Sequence, residues 1–102
     1  MARLVVMYKK PADPKAFDDY YFGTHVPLAK TIPGLRRYEV SKGAVVTPQG
    51  PSALHLVATL HFDDLAAIGA AFASAEGRAT AADVAKFAGA GVEMVMFEDR
   101  VV

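Results

Sequence analysis

From Leu54 to Phe62 the chain alternates. Leu54, Leu56, Ala58, Leu60 and Phe62 fall on one face of an extended strand, and His55, Val57, Thr59 and His61 on the other. A strand of this kind needs a sheet that buries its oily face, and the remaining segments must supply it. Leu4-Val5-Val6-Met7-Tyr8 reads as a strand apolar on both faces. Leu35–Ser41 reads as a strand carrying Arg36, Arg37 and Glu39, and Val92–Phe97 as the last strand.

Helices are predicted between these strands. Asp13-Pro14 is a helix start, with Asp as N-cap and Pro at the first helical position. Phe17, Tyr20, Tyr21 and Leu28 follow at helical spacing, while Gly23 and Pro27 predict a break that resumes shortly before Ala29. Asp63-Asp64 caps a second helix through Leu65, Ile68, Ala71 and Phe72. Ser74 starts a further helical stretch toward Val84 and Phe87, interrupted at Gly77, and Gly89-Ala90-Gly91 closes it. Pro33-Gly34 is a turn, and Lys42–Ser52, with Gly43, Pro48, Gly50 and Pro51, is a loop.

The order is β-α-β-β-α-β, a ferredoxin-like α+β fold with a four-stranded antiparallel sheet, in one domain spanning 1–102. In that topology the first and third strands are central, and these are the two most apolar. The composition is 53% apolar, above the roughly 45–50% usual for soluble domains. A chain this short has little interior in which to bury the excess. The first and last strands are also apolar on both faces, Met94 and Met96 opposing Val95 and Phe97. The expectation is therefore a homodimer whose two sheets face each other and close a barrel, with one ligand cavity per subunit.

Several partner classes lack a signal. Lys+Arg and Asp+Glu balance at 11 each, so no basic patch argues for nucleic acid. Cysteine is absent, which removes disulfides and thiolate metal sites. Met1-Ala2-Arg3-Leu4 lacks the pattern of a signal peptide, and no apolar run reaches membrane-spanning length. A cytoplasmic protein without a membrane partner is expected.

The chemistry concentrates in Tyr21-x-x-x-His25-x-Pro27-Leu28. On a helix Tyr21 and His25 share a face. Pro27 disturbs the helix beside His25 and lets the imidazole face a cavity. Histidine suits proton transfer near neutral pH. The plainer alternative is that His25 caps or packs locally.

Three further segments accompany that cluster: Tyr8-Lys9-x-Pro11, Asp13-Pro14-x-x-Phe17, and Ile32-Pro33-Gly34-Leu35-Arg36-Arg37-Tyr38-Glu39-Val40. Together they resemble the EthD family of the dimeric α+β barrel superfamily. The likeness is dense over the first 40 or so residues and rests on element order beyond Ser41. It implies the fold, the homodimer and a cavity for a small hydrophobic ligand between sheet and helices. It implies function only loosely. The name derives from ethyl tert-butyl ether degradation beside an oxygenase system, and many members carry the label "reductase". By likeness to methylmuconolactone-isomerising relatives, His25 and Tyr38 stand where active-site residues do.

His25 and Tyr38 are accordingly the candidate catalytic pair. The imidazole moves a proton, and the phenol donates to a developing oxyanion. Tyr8, Tyr21, His55 and Thr59 are the candidate substrate-binding residues, the last two on the assumption that the polar face of their strand lines the barrel. Tyr38 could equally be a packed strand aromatic, and His61 a packing or surface residue. No cofactor is expected. Histidine–carboxylate metal spacing is missing, no motif argues for haem, and no G-x-G-x-x-G follows a strand. Arg36 or Arg37 could hold an acidic substrate at the barrel mouth. The reading is a cofactor-independent isomerase- or cyclase-like protein acting on a small hydrophobic or aromatic carbonyl compound or lactone. The alternatives are a non-catalytic binding or auxiliary protein for an oxygenase, and an oxidoreductase.

Overall fold

The computed structural model describes residues 1–102. A four-stranded antiparallel sheet has the order β2-β5-β1-β6, with β1 Ala2–Lys9, β2 Arg37–Val40, β5 Leu54–Phe62 and β6 Val92–Glu98. The two most apolar strands are central, as the ferredoxin-like order requires. Helices α1 (Pro14–Tyr20), α2 (Val26–Ala29), α3 (Leu65–Ala73) and α4 (Ala75–Val84) cover one face. Leu4, Val6 and Tyr8 of β1 meet Leu56, Ala58, Leu60 and Phe62 of β5 on that face, and Phe17, Tyr21, Ile68 and Ala71 close over them. No helix is long and apolar enough to cross a membrane.

The expected closed barrel is not what the chain forms. The sheet is open, with β2 and β6 as unpaired edges. Barrel closure takes about eight strands, and four cannot curl far enough to join edge to edge. Val95 and Phe97 on the outer face of β6 are left about two-fifths exposed, at 42% and 41%.

The helix caps follow the sequence. Asp13 accepts from the Ala16 amide, Asp64 from Ala67 and Ser74 from Gly77. Two helical expectations are corrected. The first helix does not break at Gly23 and Pro27. It widens into a π-helical turn, Tyr21–His25, in which the Val26 amide reaches back to the Tyr21 carbonyl, and it continues directly as α2. Pro27 has no amide to donate and its ring crowds the preceding turn, and a widened turn relieves both problems. Nor does Gly77 interrupt α4. A Cβ there would lie 2.0 Å from the Ala71 carbonyl oxygen, so glycine is what lets α4 start against the end of α3. The Lys42–Ser52 loop also contains a short hairpin, β3 Val46–Thr47 with β4 Gly50–Pro51.

Candidate functional site

A cavity of about 460 Å³ lies between the sheet and the helices. It is lined by Tyr8, Tyr21, His25 and Tyr38, with Thr80 and an otherwise apolar wall. The elements explain why these four converge. Tyr8 and Tyr38 sit on the helix-facing side of β1 and β2, where Tyr38 pairs with Leu60 and Tyr8 with Leu56. The π-turn sets Tyr21 and His25 on one stripe with ring centroids 5.3 Å apart. Phe87 packs edge-on against His25 at 4.7 Å and tilted against Tyr8 at 5.4 Å, which fixes the imidazole from the other side.

His25 is 4% exposed, and its Nδ1 lies 2.9 Å from Asp83 Oδ2. Asp83, on α4, is itself buried, and its other oxygen accepts from the Tyr20 hydroxyl at 2.6 Å. Burial alone would disfavour its charge. The hydrogen bonds from Tyr20 and His25, with Lys86 at 3.9 Å, outweigh burial and hold the carboxyl below the usual aspartate range. An ionised Asp83 accepts, so His25 Nδ1 carries the hydrogen, and the neutral tautomer this selects has its lone pair on Nε2. Nε2 has no hydrogen bond within the protein, and His25 faces the cavity. The arrangement is an imidazole oriented by a buried carboxylate, which can act chemically as a base toward a molecule in the cavity.

Tyr21 and Tyr38 share a hydrogen bond between their hydroxyls at 2.6 Å. Burial is the main cause pushing both phenols, and that of Tyr8, above the ordinary tyrosine value, and their mutual proximity adds to this for Tyr8 and Tyr21. They stay neutral near pH 7 and act as donors rather than as tyrosinates. One of the two paired hydroxyls must keep a hydrogen for a third partner, and a substrate oxygen in the cavity can be that partner.

Two of the candidate binding residues lie elsewhere. Thr59 is on the outer face of the sheet, opposite Val5 and Glu39. His55 leaves both the outer face and the cavity because the ladder slips between Tyr8 and Lys9: Tyr8 pairs with Leu56 but Lys9 with Leu54. The extra residue is a β-bulge, which re-aims His55 onto the edge of Phe17 and toward Asp18. Alternation alone could not reveal that slip. His61 is buried on the outer face between Arg3 and Glu39, and its Nε2 is 2.6 Å from Glu39. Arg36 forms a fork with Asp63, and Arg37 pairs with Glu39, so neither lines the cavity.

Sequence reasoning missed Asp83, Tyr20 and Phe87. A signal was present: Thr80, Asp83, Val84 and Phe87 stand at i, i+3, i+4 and i+7, so an acid lay on the stripe that faces the sheet. No three histidine, aspartate or glutamate side chains converge as a metal would need.

Residues 9–91 match the EthD domain. The chain is 43% identical to an uncharacterized 11.0 kDa protein of Rhodococcus erythropolis encoded in the thcB-thcC intergenic region, over 100% of this chain and 98% of that protein. It superposes on an EthD family protein of Bacillus halodurans with a TM-score of 0.90 and 36% identity, covering 98% of this chain and 99% of that one. A dimeric protein of unknown function and ferredoxin-like fold from Bacteroides fragilis shares the fold alone, with a TM-score of 0.64 and 19% identity over 96% of this chain and 95% of that one.

Proposed function

We propose that this chain, which belongs to the EthD family, performs cofactor-independent acid/base conversion of a small, neutral, apolar carbonyl compound or lactone. His25 is the acid/base, Asp83 positions it, and Tyr38 with Tyr21 donates to the carbonyl oxygen. Nε2 takes the proton from the carbon next to the carbonyl, the negative charge moves onto oxygen against the tyrosine hydroxyls, and in an unsaturated substrate the imidazolium returns its proton at the far carbon of the conjugated system. Isomerisation follows this course, and in cyclisation the same carbanion attacks a second carbonyl of the substrate, whose oxygen then takes the proton from the imidazolium. The observation that carries the reading is the 2.9 Å His25–Asp83 contact at the wall of an apolar cavity. The cavity is lined by no Lys or Arg, which favours a neutral substrate over a carboxylate or phosphate. We take the working protein to be a cytoplasmic homodimer, supported by the apolar outer face of β6.

The test is hydrogen–deuterium exchange in D₂O. Neutral cyclic ketones and lactones are incubated with purified protein and followed by mass spectrometry. The expected result is protein-dependent deuteration next to the carbonyl, lowered about 10²–10⁴-fold in His25→Ala, the range of a lost general base. Exchange undiminished in His25→Ala would remove the histidine from the role. A second reading is a binding or auxiliary protein, favoured by the fact that 15 of the 18 lining residues are hydrophobic. It expects ligand retention in native mass spectra and no exchange in any variant.

A further inference from the structure

The β-bulge that leaves His55 unpaired in the ladder delivers its side chain to a second cleft of about 640 Å³. This cleft is separate from the inner cavity. Asp18, Phe22, Lys10, Lys42 and His55 all line it. None of the five lines the first cavity, and the two clefts have opposite chemistry. The inner cavity is oily and carries no cation. The second is half polar, and it holds two lysines.

The charges of the cleft do not cancel. Lys10 and Lys42 take part in no ion pair. The one carboxylate in the lining, Asp18, accepts from His55 Nε2 at 2.8 Å and is thereby satisfied. The bulge is what makes that pairing possible, since an unbulged β5 would send His55 to the outer face of the sheet. Bulges cost a ladder position and recur where a side chain is re-aimed for a purpose. Beside the cations, Phe22 leaves 49% of its surface exposed although it sits in the same turn as the buried Tyr21. An apolar ring and two unpaired lysines lining one cleft are complementary to a molecule with an apolar body and one negative end.

We propose that this cleft binds an organic carboxylate with an aromatic or branched apolar body. Lys10 and Lys42 supply the charge, and Phe22 supplies the apolar contact. The His55–Asp18 pair keeps the only carboxylate in the lining turned to a partner of its own. A neutral substrate in the inner cavity and an anion in this cleft would occupy the protein independently.

The experiment is an amide chemical-shift titration of the wild-type protein with sodium benzoate, run beside benzamide, its uncharged analogue. Saturable shifts at Phe22, Ser41, Lys42, Gly43 and His55 with benzoate, and none of comparable size with benzamide, are expected. Lys10→Gln with Lys42→Gln should weaken benzoate by about tenfold or more, as the loss of a charge-assisted contact does. Both lysines are on the surface, so the fold is retained in that variant, and its spectrum reports this directly. Equal binding of benzamide overturns the proposal. So do shifts centred on Ile68, Thr80 and Met94 of the inner cavity, undiminished binding by the double variant, or no saturable shift at any soluble benzoate concentration.

Discussion

At the residue scale the site turns on how Asp83 and the tyrosines ionise. Asp83 is held below the ordinary aspartate range, burial being overcome by Tyr20, His25 and Lys86. A carboxyl depressed in the folded state adds stability above its unfolded value and loses that contribution as pH falls through its folded value. Urea melts across the acid range should therefore show wild type losing more stability below pH about 4 than Asp83→Asn does. Glu39, Asp63 and Asp99 act in the same direction, but they are solvated and contribute less. A variant with an acid limb as steep as wild type would mean Asp83 is not ionised in the fold. In Tyr8, Tyr21 and Tyr38 the shift is upward, with burial first among its causes. Their contribution is whole below the ordinary tyrosine value and is lost as pH rises through the folded values. Tyrosinate absorbance should then stay low past pH about 10 and rise in one step with alkaline unfolding. A rise before unfolding larger than the single phenol of Tyr20, which lies outside the cavity lining, would show an accessible phenol in the site. Tyr21 and His25 were singled out by their four-residue spacing before Pro27 and Tyr38 by the resemblance, and all three line the cavity. Asp83 was hidden, since an acid in an alanine-rich helix looks like a solvated one until the stripe with Thr80 and Phe87 is traced.

At the scale of elements, strand order and helix caps could be read directly because alternation, Asp13, Asp64 and Ser74 are local signals. The π-turn, the β5 bulge and the α3–α4 junction could not, because each is settled by what packs across from it. The two helical glycines make the difference measurable. Gly77 meets the Ala71 carbonyl, and adding a methyl group forces backbone to move. Gly77→Ala should cost about 1–3 kcal/mol of stability, read from chemical melts. Gly69, on α3, has nothing within 4 Å of where its Cβ would stand and lines the inner cavity. Gly69→Ala should raise stability by about 0.5–1 kcal/mol through helix propensity while narrowing the cavity. If both variants behaved alike, helix propensity rather than the junction would govern Gly77.

For the whole molecule the decisive fact is an open sheet with helices on one face only. Arg3, Val5 and Met7 of β1 stand beside Phe97, Val95 and Glu93 of β6 on the other face, so a stripe of apolar surface runs between charged ends. At one end Arg3 bonds Asp99 at 3.0 Å and contacts His61, which in turn meets Glu39. These polar groups are satisfied within one chain and contribute no drive to associate. The apolar stripe is the surface that can, since a large exposed apolar patch is unusual on a monomer. A symmetric contact places each copy's stripe on the other's, so one substitution is felt twice. If two copies pair through this stripe as proposed, wild type should sediment as a dimer at micromolar concentration and Val95→Asp with Phe97→Asp as a monomer. Each aspartate would bring an unpaired charge into the contact, a cost well above what a lone surface substitution carries. The helix-facing core is untouched by these changes, so the monomer should keep its far-ultraviolet circular dichroism. A wild-type protein that sediments as a monomer, or a double variant that remains dimeric, would assign the stripe no role in self-association.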